Sequence, residues 1–133
     1  MNSIDQIKQK KALERDLAKA RELFGEQDYQ VLSSEQQIKA NRAFERYLTK
    51  SPADQTIKLN ELKQIELSQL FKKSKATVAF RLHESESGLW LVSKDSILDQ
   101  SIPALGISLY DCDNQKISTL HAAEYDWEIY LNV

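Results

Sequence analysis

The chain has little of what usually punctuates or staples a small fold. A single cysteine, Cys112, leaves no internal disulfide and points to a reducing compartment. Three glycines and two prolines are too few for a flexible linker, and three glycines cannot build a phosphate-cradling loop. No Walker loop, GxSxG or GxGxxG occurs. No apolar run approaches the roughly 20 residues of a membrane-spanning helix. The start, "MNSIDQIKQKK", is charged where a signal peptide would be apolar. The expectation is a soluble cytosolic protein.

What is present fits one domain over residues 1–133. A chain of this size buries roughly two-thirds of its unfolded surface, enough for one hydrophobic core. The net charge of −2 hides an asymmetry. Residues 1–76 carry 15 Lys and Arg against 11 Asp and Glu, whereas residues 77–133 carry 3 against 9. The basic part, up to about residue 75, reads as helical and the acidic remainder as β-rich.

Residues 4–24 form an amphipathic helix, with Leu13, Leu17, Ala20 and Phe24 on one stripe and Gly25 as its stop. A second helix follows from "LSSEQQ", where Ser34 with Gln37, or Ser33 with Gln36, fits a capping box. Ile38, Phe44, Tyr47 and Leu48 are its expected buried side, and Pro52 ends it. Residues 60–73 read as a third helix capped by Asn60. "TIKL" at 56–59 reads as a brief strand.

"SKATV" at 74–78 resembles the opening of a repressor recognition helix. That register sets Lys72 where the turn usually has glycine, and Lys73 and Arg81 where the unit buries apolar side chains. Burying an unpaired charge costs several kcal/mol, so the reading fails. A strand has no such conflict: Val78, Phe80 and Leu82 point one way and Thr77, Ala79, Arg81 and His83 the other. "ESESG" is then a turn, and 89–92 is the return strand. Further strands are expected from Ile107, from Ile117 to Leu120 after the turn "DCDNQ", and over "DWEIYLNV". The fold class is α+β: about three N-terminal helices packed on one face of an antiparallel sheet of about five strands.

Chemistry is scarce. An EF-hand loop from Asp111 would need glycine at its sixth position and an acid at its twelfth, where the chain has Lys116 and Ala122. His83, His121 and Cys112 lack the spacing of a zinc site. Cys112 sits among carboxylates that disfavour its thiolate. Glu84 with Glu86, and Asp126 with Glu128, are pairs on a polar turn or a solvated face, without the apolar pocket that splits carboxylate pKa values. No catalytic residue, cofactor or metal is expected.

The suggestive surface is acidic. Glu84, Glu86, Asp111, Asp113, Glu124, Asp126 and Glu128 lie in or beside turns of the C-terminal half, with Tyr110, Tyr125 and Tyr130 near them. Brought together, they would form an acidic, tyrosine-studded face suited to a basic partner. The expected function is a protein-binding inhibitor of a basic protein, for example an immunity protein for a nuclease-type toxin or a phage- or plasmid-encoded inhibitor of a defence complex. Glu84, Glu86, Asp111, Asp113, Asp126, Glu128 and Tyr130 are the expected contacts. The alternative is a nucleic-acid-binding accessory protein using Lys8, Lys10, Lys11, Arg15, Lys19 and Arg21, with Lys72, Lys73 and Lys75 after the third helix.

Overall fold

A computed structural model of the chain describes residues 3–26, 28–49, 52–58, 64–66, 78–93, 101–103, 106–123 and 126–131. Helix α1 spans Ser3–Phe24 and α2 spans Ser34–Thr49. Strands β1 (Tyr29–Val31), β2 (Gln55–Lys58), β4 (Val78–Leu82), β5 (Leu91–Ser93), β7 (Ile107–Asp111), β8 (Lys116–Ala122) and β9 (Asp126–Tyr130) form one sheet in the order β1-β5-β4-β7-β8-β9-β2. Every pairing in it is antiparallel. A separate two-stranded ladder joins β3 (Gln64–Glu66) to β6 (Ser101–Pro103).

The repressor-like string therefore belongs to a hairpin: Ala79 pairs with Val92 and Phe80 with Leu91. The third helix does not hold across 60–73. Residues 64–66 are extended and backbone-paired to 101–103, and the rest of that stretch lies outside the described residues. The N-terminal part is not purely helical either, because β1 and β2 form the two edges of the large sheet.

The local signals act as expected at the helix ends. Gly25 takes φ +89°, and its N–H donates to the Arg21 carbonyl at 2.9 Å, closing α1. Of the two candidate caps, Ser33 is the one used: its Oγ accepts from the Gln36 N–H at 3.3 Å, but the reciprocal bond of a full capping box is not made, because Gln36 Oε1 has no hydrogen-bond partner among the described residues.

The helices do not share a face of the sheet. Ala20 and Phe24 of α1 pack with Phe80, Leu82, Leu91, Ile107, Leu109, Leu120 and Ile129. Ala40, Ala43 and Tyr47 of α2 pack with Ala79, Trp90, Tyr110, Ile117 and Tyr130. These two sets alternate along β4, β7, β8 and β9, so they lie on opposite faces. The sheet is thus sandwiched between α1 and α2, correcting the expectation of helices on one face only. The two alanines let α2 approach closely. Gln37 then locks the helix to Trp90, just before β5: its Oε1 accepts from the Trp90 N–H and its Nε2 donates to the Trp90 carbonyl, both at 2.8 Å. Ile38 and Leu48, expected inside, are exposed because Gln37, Ala40, Ala43 and Tyr47 take the inner stripe.

A helix of 22 residues is about 33 Å long, longer than the strands it crosses. Residues 3–11 are exposed throughout, and Ile4 and Ile7 are 61% and 54% accessible.

Candidate functional site

The strand directions collect the chemistry-bearing residues at one end of the sheet. The end of β4, the start of β7, the end of β8 and the start of β9 meet there. Leu82 pairs with Ile107 and Ile107 with Leu120. The next rung is therefore His83, Gly106, His121 and Glu128, with His121 opposite Glu128 in the ladder and the His83 N–H donating to the Gly106 carbonyl at 3.0 Å. Rung partners share a face, and this face is the α2 side.

Tyr47 of α2 roofs the rung. It stacks on Tyr130 with ring centres 4.9 Å apart and lies 6.4 Å from the His83 ring. His83 is held from below, with its Nε2 3.0 Å from the Ser108 hydroxyl, which is 2.7 Å from the Thr119 hydroxyl. Ser108 and Thr119 are fully buried, so this chain of hydroxyls orients the imidazole from inside the protein. Ser108 has no access for nucleophilic attack. Packing around the His83 ring, with His121 and Arg81 nearby, lowers its pKa from the ordinary 6.5. Burial, then Tyr130 and Glu128, push the Tyr47 hydroxyl up to about 12. Both groups are neutral at pH 7. A cleft of about 290 Å³ opens beside them, lined by His83, Glu84, Gly106, His121 and Ala122.

The expected acidic residues are divided by the fold. Glu84 and Glu86 lie in the β4–β5 turn and face α1: Arg15 pairs with Glu86, and Lys19 with Glu84 at 3.9 Å. The same turn wraps Asp16, a buried carboxylate that the sequence reading missed. Asp16 accepts from the Ser85 hydroxyl at 2.8 Å, the Glu86 N–H at 2.9 Å, the Ser87 N–H at 3.1 Å and the Ser87 hydroxyl. The cluster of Ser and Glu after a strand was its only signal, because nothing in the helix pattern marks an aspartate as facing inward.

Asp111 and Asp113 sit at the opposite end of the sheet, in the β7–β8 turn. Asp111 is buried and folds that turn, accepting from the N–H groups of Asp113 and Asn114 at 3.0 Å and from Asn114 Nδ2 at 2.8 Å. Asp113 is exposed. Asp126 and Glu128 are half-buried on β9. Tyr110 and Tyr130 are buried against α2, so neither studs an outward face. Glu124 and Tyr125 lie outside the described residues. The single acidic, tyrosine-rich face is not formed. In its place Glu84, Asp126 and Glu128 share the histidine end, and Asp113 lies at the other.

Cys112 is also at that other end, and burial, then the Asp111 and Asp113 charges, raise its thiol pKa despite a backbone hydrogen bond from Ala79. Among the described residues, no group of three or more His, Cys, Asp or Glu side chains is placed to hold a metal ion. No helix among them is long and apolar enough to cross a membrane. Comparison with protein-family models, with curated proteins and with solved structures finds no match.

Proposed function

We propose that the chain is a protein-binding inhibitor that neutralises a basic partner through the Asp126–Glu128 end of its sheet. An immunity protein for a nuclease-type toxin and an inhibitor of a nucleic-acid-handling defence complex are two forms of this reading. The observation that carries it is the commitment of β9. Trp127 and Ile129 pack toward α1, so Asp126 and Glu128 fall together on the other face. Glu84 stands at the same end, three strands away in the order β4-β7-β8-β9. Carboxylates placed at a rim steer a cationic partner and set its association rate.

The double charge reversal Asp126→Lys/Glu128→Lys is expected to weaken partner binding by tenfold to a hundredfold, on the order of 1.4 to 2.8 kcal/mol. The salt dependence of the association rate should flatten with it. Surface plasmon resonance at two ionic strengths reads both quantities. Affinity and salt slope equal to wild type would sink the proposal.

One observation favours the alternative of nucleic-acid binding. Lys8, Lys10 and Lys11 lie on the part of α1 that is exposed throughout. That reading expects duplex binding that falls steeply with salt, and a log–log slope reduced by about 3 when the three lysines become alanine. Fluorescence anisotropy with a labelled duplex decides it, an unchanged slope counting against these lysines.

A further inference from the structure

Helix α1 carries two stripes. Ala12, Asp16, Ala20 and Phe24 are its buried residues. With about 3.6 residues per turn, the opposite side of the helix holds Ile4, Ile7, Lys11, Glu14 and Ala18, and all five are exposed. They are spaced three, four, three and four residues apart, the spacing of the a and d positions of a coiled-coil heptad. A helix already docked by one face thus turns a second, narrower seam to solvent.

Lys11 and Glu14 decide what fits that seam. Two copies of α1 laid antiparallel, with each Lys11 opposite the partner's Glu14, satisfy both charges twice. The same register sets Ile7 on the partner's Ala18, whose small side chain leaves room for the branched one. It sets Ile4 on the partner's Arg21. The stem of that arginine can cover apolar surface while its head stays with Glu26 of its own chain at 3.8 Å. Arg15, which flanks the seam near the partner's Lys8, is already paired with Glu86. Other arrangements are worse. A parallel pair sets Lys11 on Lys11 and Glu14 on Glu14, and like charges in contact repel. Sliding the antiparallel pair by one heptad sets both isoleucines against charged residues, or sets Lys11 against the partner's Arg21. Charge therefore selects one register, at a cost in stability, as a polar residue at an a position does in coiled coils. Because the seam lies opposite the buried stripe, each sheet stays on the outside of the helix pair.

We propose that the exposed seam of α1 is a homodimer interface, on which a second copy of this chain packs antiparallel with reciprocal Lys11–Glu14 ion pairs. This surface is separate from the Asp126–Glu128 end and does not depend on what that end binds.

The test is sedimentation equilibrium of the full chain over a concentration series. A monomer–dimer equilibrium is expected. Lys11→Glu and Glu14→Lys, each alone, should raise the dimer dissociation constant about tenfold or more, because like charges then face one another. Mixed in equal amounts, the two variants should form a heterodimer, since every charge on one seam meets its opposite on the other. The chain carrying both substitutions should dimerise like wild type. All these positions are exposed, so far-ultraviolet circular dichroism of each variant should match wild type. A monomer at every concentration up to about 1 mM would overturn the proposal. So would a dimer indifferent to both single reversals, or single variants that fail to pair when mixed. A monomer that co-sediments with duplex DNA or anionic vesicles would give the face to another occupant and overturn it equally.

Discussion

Replacing Asp16 by alanine is expected to lower the unfolding midpoint by about 10 °C, from a loss of about 3 kcal/mol. The carboxylate is the partner of two N–H groups and two hydroxyls in the β4–β5 turn. Without it these donors stay partly buried and unmatched, and the turn loses its hold on α1. The flanking pairs Arg15–Glu86 and Lys19–Glu84 are exposed and contribute little by comparison.

The same carboxylate gives the expected acid sensitivity. Burial alone would raise its pKa, but hydrogen bonds from the Ser87 hydroxyl, the Glu86 N–H, the Ser85 hydroxyl and the Ser87 N–H outweigh it and hold the value below 3.8. A depressed native pKa adds stability that is fully present above about pH 4 and is lost as pH falls through the native value. Asp16→Asn should therefore lose stability at pH 7 and flatten the decline below pH 4, read by denaturant unfolding at each pH. Stability of the Asp16→Asn variant equal to wild type at pH 7 would show that the turn does not depend on the charge.

Trp90→Ala is expected to cost about 4 kcal/mol. Trp90 is fully buried between the sheet and α2, in edge contact with Phe44 and tilted against Tyr110. Its Nε1 donates to Asn41 Oδ1 at 2.9 Å. This loss is a large share of the 5–15 kcal/mol that holds a typical domain together. It depends on α2 covering a second sheet face. If that face were open, the truncation would cost under about 1 kcal/mol. Ile38→Ala is the control: an exposed apolar residue on the outer side of α2 should change stability by no more than about 0.5 kcal/mol. Chemical denaturation of the two variants beside wild type separates the cases.

Where the sequence and the fold part company, the reasons are particular. The period-two stretches were legible because Val78, Phe80 and Leu82, and Trp127 and Ile129, are large and apolar on the α1 side. The α2 side was not, because it is built from small, hydroxyl and tyrosine side chains: Ala79, Ser108, Thr119, Tyr110 and Tyr130. Such residues read as surface. Yet the two hydroxyls satisfy each other, and the tyrosine rings pack beneath Ala40, Ala43 and Tyr47. Residues 60–73 offered an apolar arc broad enough for a helix, and the pairing of 64–66 with 101–103 is a long-range contact that no local pattern carries.

The site was legible by residue type more than by place. Asp111 looked like surface charge but serves its own turn, as aspartate followed by Asp and Asn often does. Asp126 and Glu128 kept the expected strand alternation. The histidines had no sequence spacing to link them; their meeting is a product of register across Gly106.

Affinity capture from the source cell's lysate with the full chain and with its Asp126→Lys/Glu128→Lys variant, each with and without nuclease treatment, tests the proposed inhibitor role most directly. The account predicts a stoichiometric basic protein that survives nuclease on the wild-type chain and is lost on the variant. Identical capture by both chains, or nucleic acid alone released at moderate salt, would contradict it.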